Sequence, residues 1–221
     1  MAVENTAHAG DLLALQLRDR GYGALYPKTS TIVLGLPRGG VPVAAQISKN
    51  IQTPLDVVVS RKLGVPSSEE YAFGAIAAPD CMVMNEGVAR IMGLTQRDIQ
   101  NVIQKETAEL NRRITKYRQG KPPLNVGGMN VILVDDGLAT GATMKAALKL
   151  LKRQSPRRIC VAVPVAPPDA AEELKRSGDC DEVVVFMEPP HFGAVGLYYD
   201  NFEQTEDEQV LALLGLGNKE E

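Results

Sequence analysis

Asp135 and Asp136 stand side by side after an apolar run, 131–134, and the chain continues Gly137-Leu138-Ala139-Thr140-Gly141-Ala142-Thr143 into a helical pattern. A strand that turns this way into a helix leaves several N–H groups unpaired at the helix N-terminus. Those donors and the helix dipole favour a phosphate. Gly141 lets the backbone approach an anion closely, and Thr140 and Thr143 add hydroxyl donors. Each hydrogen bond to a charged phosphate contributes about 1.5–3 kcal/mol net. Two carboxylates beside a phosphate repel it, so they need a partner of their own. Ribose hydroxyls donate to carboxylates while a 5′-phosphate reaches the threonine-rich turn. A Mg²⁺ held by ligand oxygens and water, with Asp135 and Asp136 as further donors, offsets the charge. A P-loop needs Lys after its second Gly, where Ala142 stands here, and the dinucleotide fingerprint G-x-G-x-x-G is absent. A lone Asp-Gly would fit a plain capped turn; two acids followed by T-G-A-T do not.

Three other groups of residues have chemical potential. Pro37-Arg38-Gly39-Gly40 follows a short apolar run, and two glycines there permit a tight turn with inward N–H groups. An ordinary strand-to-helix turn uses the same residues. Arg61 and Lys62 open a stretch, 61–71, rich in Gly, Pro, Ser and charge, which reads as an exposed loop. They are either anion ligands or two solvated charges. Phe192 and Tyr198 lie in an aromatic tail and either stack on a flat heterocycle or pack the tail onto the core.

The elements that must position these residues are short. Residues 10–20, 41–49, 95–118, 140–153 and 168–176 read as helices, and 31–35, 55–60, 72–78, 81–85, 130–134, 158–163 and 182–187 as strands. Pro79-Asp80 reads as the turn between two of those strands, Thr95 as a helix cap, and Thr205 to Glu208 as the capping box of a terminal helix. Apolar strands alternating with helices predict an α/β fold: a mostly parallel twisted sheet flanked by helices. Residues 1–188 form the core with an N-terminal helix, and 189–221 a small C-terminal hood.

Composition narrows the class. The chain has 221 residues, 44% apolar, with net charge -3. Nucleic-acid binders usually carry a basic excess, so no nucleic-acid partner is expected. Cys81, Cys160 and Cys180 form no CxxC pair, and two histidines cannot complete a zinc cluster with them. No apolar run reaches the length of a membrane span and no signal-peptide pattern opens the chain, which predicts a cytoplasmic protein without a membrane partner.

Val134-Asp135-Asp136 with Thr140-Gly141-Ala142-Thr143 resembles the signature of type I phosphoribosyltransferases, and the resemblance extends over roughly residues 29 to 190. It implies that Asp135 and Asp136 bind the ribose of phosphoribosyl pyrophosphate (PRPP), that Ala139, Thr140, Gly141, Ala142 and Thr143 bind its 5′-phosphate, and that Arg38, Gly39 and Gly40 bind its pyrophosphate. It also implies a cis peptide at Pro37–Arg38 and a lid in which Arg61 and Lys62 cover the leaving group. Glu69, Glu70 and Tyr71 lie further along that lid. Mg²⁺ is the implied cofactor, a small nitrogen heterocycle the acceptor, and a homodimer the assembly. Enzymes of the family for 6-oxopurines carry an acid where Ala139 stands, and adenine enzymes carry Glu-Tyr-Gly where Ala72-Phe73-Gly74 stands. The resemblance is to members without a defined acceptor. The alternative is a PRPP-sensing regulator without turnover.

Overall fold

The structure, a computed structural model, describes residues 2–66, 68–78 and 81–216. Five parallel strands form the main sheet in the order β2-β1-β6-β7-β8: β1 (Thr31–Gly35), β2 (Leu55–Val57), β6 (Asn130–Val134), β7 (Arg158–Val165) and β8 (Glu182–Met187). Residues alternate between its two faces. Leu34, Leu133 and Val161 pack with helices α5 (Ala142–Lys152) and α6 (Pro168–Ser177). Val33, Ile132 and Ala162 pack with α1 (Thr6–Asp19) and α2 (Gly40–Ile51). A sheet covered on both faces needs continuous apolar strands, which is why these strands carry no polar alternation. The expected fold is therefore present.

The register matters most for function. β1 pairs with β6 so that Gly35 lies opposite Val134. The two carboxyl ends are thus level, and the turns at 36–40 and 135–141 leave the sheet as neighbours. Ligands of open α/β sheets bind beyond such carboxyl ends.

Residues 61–71 depart from the expectation. They are not an exposed loop: β3 (Ser60–Val65) and β4 (Ser68–Ala77) pair antiparallel, and β5 (Cys81–Met84) completes a second, three-stranded sheet. Leu63 and Val65 alternate inward and pack with Phe73 against Leu110 and Tyr117 of α4 (Gln96–Arg118). Each such buried side chain contributes about 1.5–3 kcal/mol, which outweighs the turn-forming character of Gly64 and Pro66. The expected strand 55–60 is accordingly split between β2 and the start of β3. The Pro79-Asp80 turn lies outside the described residues, as do the side chains of Glu69 and Glu70.

Caps set the helix boundaries. Thr95 accepts from Asp98 N and the Asp98 carboxylate returns to Thr95 N, a reciprocal box that starts α4 as expected. α1 begins earlier than its apolar pattern because the Asn5 side chain accepts from His8 N. A short helix, α3 (Glu86–Ile91), was not expected and is capped by Asn85. The terminal helix, α7 (Asp207–Leu213), uses Glu206 and Gln209 for its box, one residue beyond the expected Thr205 and Glu208. Thr205 is buried instead.

Candidate active site

Asp135 and Asp136 project from the carboxyl end of β6, and Asp135 Oδ1 accepts from Asp136 N at 3.0 Å. Burial pushes the Asp135 carboxyl well above the ordinary carboxylate range, and the neighbouring Asp136 charge pushes it further. Burial raises Asp136 as well. No arginine or lysine ion pair to either acid occurs among the described residues. Adjacent desolvated carboxylates disfavour the charged state, so they suit a partner that brings hydroxyl donors or a cation.

The turn after β1 closes over this pair. A Cβ built on Gly39 would lie 1.8 Å from Asp136 Oδ2, and one on Gly40 would lie 2.7 Å from the Val134 carbonyl oxygen. Backbone excludes any side chain at Gly40, and a side chain at Gly39 would have to displace the Asp136 carboxylate. The Pro37–Arg38 peptide is cis, as the resemblance implied. Beyond the acids, Leu138 is buried and anchored by its N–H on the Val165 carbonyl at 2.8 Å. Gly141 is left-handed, with φ 70°, and opens α5 without any side-chain cap. Ala139 and Thr140 are exposed, and Ala142 and Thr143 half-buried. An uncapped helix N-terminus behind an exposed turn has free N–H donors of the kind that suit an anion.

The tail packs against the start of that turn. A Cβ on Gly137 would lie 2.6 Å from Val195 Cγ1. The Tyr199 hydroxyl donates to the Asp136 carbonyl at 2.5 Å, and Tyr199 is buried. Phe192 and Tyr198 stack on one another, centroids 5.5 Å apart and planes 18° apart, while the Tyr198 hydroxyl donates to the His191 carbonyl at 2.9 Å. The two acceptor candidates thus form one ring pair.

The basic residues face elsewhere. Arg38 reaches Glu206 at 3.4 Å and Asp207 at 3.8 Å, at the start of α7. Arg61 is held by Glu106 of α4 through bonds of 2.8 and 2.7 Å. Arg61 and Lys62 line a cavity of about 870 Å³ against α4, opposite Lys105 and Arg112. The structure therefore gathers Gly39, Gly40, Asp135, Asp136, Val195 and Tyr199 at one site. It turns the guanidinium groups of Arg38 and Arg61 towards acids outside that set. Val195, Tyr199 and the Glu206–Asp207 contact were not foreseen. Their only sequence signal was the aromatic tail, because each meets its partner across a long stretch of chain.

Among the described residues, no three His, Cys, Asp or Glu side chains are grouped to hold a metal ion. No helix among them is long and apolar enough to cross a membrane.

The model of the phosphoribosyl transferase domain matches residues 4–192. The chain belongs to the phosphoribosyl transferase family. It is 42% identical over 191 residues, 86% of its length, to a Mycobacterium tuberculosis protein that carries the name "Putative phosphoribosyl transferase" in strains CDC 1551 / Oshkosh and ATCC 25618 / H37Rv. The match spans only 43% of that relative. A shorter segment, 63 residues or 28% of the chain, is 38% identical to 19% of the ribose-phosphate pyrophosphokinase of Parasynechococcus marenigrum strain WH8102. In structure, the chain matches the Thermus thermophilus protein TT1426 with a TM-score of 0.79 and 39% identity, covering 99% of this chain and 100% of that one. Family and fold agree with the resemblance read from the sequence.

Proposed function

We propose that the protein transfers the 5-phosphoribosyl group of PRPP to a ring nitrogen of a heterocycle, with release of pyrophosphate. The observation that carries this reading is the desolvated Asp135–Asp136 pair beneath Gly39 and Gly40 and beside an uncapped helix N-terminus. In the transfer, the nitrogen lone pair forms a bond to C1 of the ribose as the C1–oxygen bond to pyrophosphate breaks. The electron pair leaves on pyrophosphate, and the ring N–H proton passes to solvent. Asp135 and Asp136 accept from the ribose hydroxyls and stabilise the positive charge that develops on the sugar. The amides of 139–143 hold the 5′-phosphate, and the turn Arg38-Gly39-Gly40 meets the pyrophosphate. Arg38, after leaving Glu206, neutralises it further, with Arg61 and Lys62 in support.

Mg²⁺, when bound, supplies counter-charge to the pyrophosphate and to the two acids. The fit is chemical: two carboxylates whose charged state burial disfavours are the residues to bind a hydrated cation through water and ligand oxygens. Phe192 and Tyr198 offer the acceptor a ring surface. Ala139 is exposed and brings no carboxylate, so an acceptor that needs an acid at that position is disfavoured. The free thiols of Cys81, Cys160 and Cys180 suit a reducing, cytoplasmic setting.

Calorimetric titration with Mg-PRPP tests the donor site. The wild type binds, and Asp135→Asn/Asp136→Asn loses the affinity; unchanged affinity in the variant sinks the assignment. A screen of heterocycles for pyrophosphate release then separates an enzyme from a PRPP sensor, which would bind without turnover.

A further inference from the structure

We infer that Tyr199 is a positioning residue that couples the C-terminal stretch 192–199 to the ribose loop, so that occupation of the donor site is transmitted to the segment facing the acceptor. The inference rests on the donor-site reading above. Tyr199 touches none of the reacting atoms. It acts through the Asp136 carbonyl, which accepts its hydroxyl at 2.5 Å, between the acid pair and Gly137. Val195 fills the space that a Cβ on Gly137 would occupy, so a second contact from the same stretch grips the same peptide. The loop and the tail therefore cannot shift independently at this point.

The tail side of the coupling is built as one piece. Tyr198 precedes Tyr199 and stacks on Phe192, so displacement at 199 carries the ring pair with it. Phe202 packs on Tyr199 at 5.0 Å between centroids and lies 2.9 Å from where a Gly196 Cβ would be. Val3, fully buried, bridges in parallel to Tyr199: its N–H donates to the Tyr198 carbonyl at 2.8 Å, and its carbonyl accepts from Asp200 N at 2.8 Å. A buried acceptor that loses its donor is costly. The Asp136 carbonyl thus depends on this hydroxyl for its place.

The test is amide hydrogen exchange with and without saturating Mg-PRPP, on the wild type, Tyr199→Phe and Phe202→Leu. Tyr199→Phe removes only the hydroxyl; Phe202→Leu loosens the ring packing and keeps it. In the wild type, Mg-PRPP protects 137–143 and also 192–200. In Tyr199→Phe, affinity drops about tenfold, 137–143 is still protected at saturation, and the added protection of 192–200 is lost. Phe202→Leu retains it. Four results overturn the coupling: protection of 192–200 that persists in Tyr199→Phe, loss of it in both variants alike, wild-type affinity in Tyr199→Phe, or a wild type in which 137–143 responds and 192–200 does not. The wild-type arm decides even if Tyr199→Phe does not fold. If Mg-PRPP does not protect 137–143 in the wild type, the donor-site reading itself fails and this inference with it.

Discussion

At the scale of single residues, the acid pair sets function against stability. Asp135 and Asp136 are both shifted upward by burial, Asp135 also by its neighbour's charge. A carboxyl raised in the folded state favours the protonated form there. The stability it supports is fully present below the unfolded carboxyl range and is lost as pH rises through the folded value. At neutral pH the free protein therefore carries a cost that a bound ligand relieves. Asp136→Asn removes one charge and leaves the Asp135 bond to residue 136 N in place. It is expected to raise the unfolding free energy by about 1–3 kcal/mol at pH 8, with the gain vanishing near pH 4, while PRPP binding falls. Urea denaturation across that pH range measures it; an equal or lower stability at pH 8 contradicts the account. Asp207 behaves in the opposite sense. Burial works against its charge, but bonds from Lys116 and Tyr117 hold its carboxyl at about 2, so its contribution is present above pH 4 and fades towards pH 2.

At the scale of elements, the helices and main-sheet strands were legible because their signals are contiguous. Strands such as Asn130–Val134 are buried at every position, and no polar residue interrupts the run. The antiparallel pair β3–β4 was not legible. In Ser60–Val65 only Leu63 and Val65 show the inward period, and Arg61, Lys62 and Gly64 surround them with loop chemistry. What decides the matter is Leu110 and Tyr117 on α4, which receive those side chains from far along the chain. Leu63→Ala distinguishes the two readings. A side chain with no exposure should cost about 2–5 kcal/mol on truncation, whereas an exposed-loop leucine changes stability by only about 0.5 kcal/mol. A shift in the denaturation midpoint at constant slope is the measurement.

At the scale of the whole molecule, the site was half visible in sequence. The acids and T-G-A-T form one segment, and Gly39 and Gly40 another, so their chemistry could be read locally. That the two press together follows from the β1–β6 register, which local pattern cannot fix. The contacts of Val195 and Tyr199 depend on the path of the tail, and no residue spacing encodes them. The tail in turn is tied to the opposite end of the chain: Asn201 N bonds to the Glu4 carbonyl at 2.9 Å, beside the Val3 bonds. Deleting residues 1–4 should therefore weaken Mg-PRPP binding while the circular-dichroism spectrum keeps its helix and strand content. Wild-type affinity in that deletion would refute the link.

The Val3–Tyr199 bridge also bears on synthesis. A nascent chain that has emerged as far as residue 150 already carries Gly39, Gly40, both acids and the T-G-A-T turn. It lacks β7, whose Val165 carbonyl anchors Leu138, and it lacks the strap that seats Asp136 until the tail has appeared and found Val3. The residues of the turn are thus made well before the contacts that seat them, and the site is complete only when both ends of the chain have met.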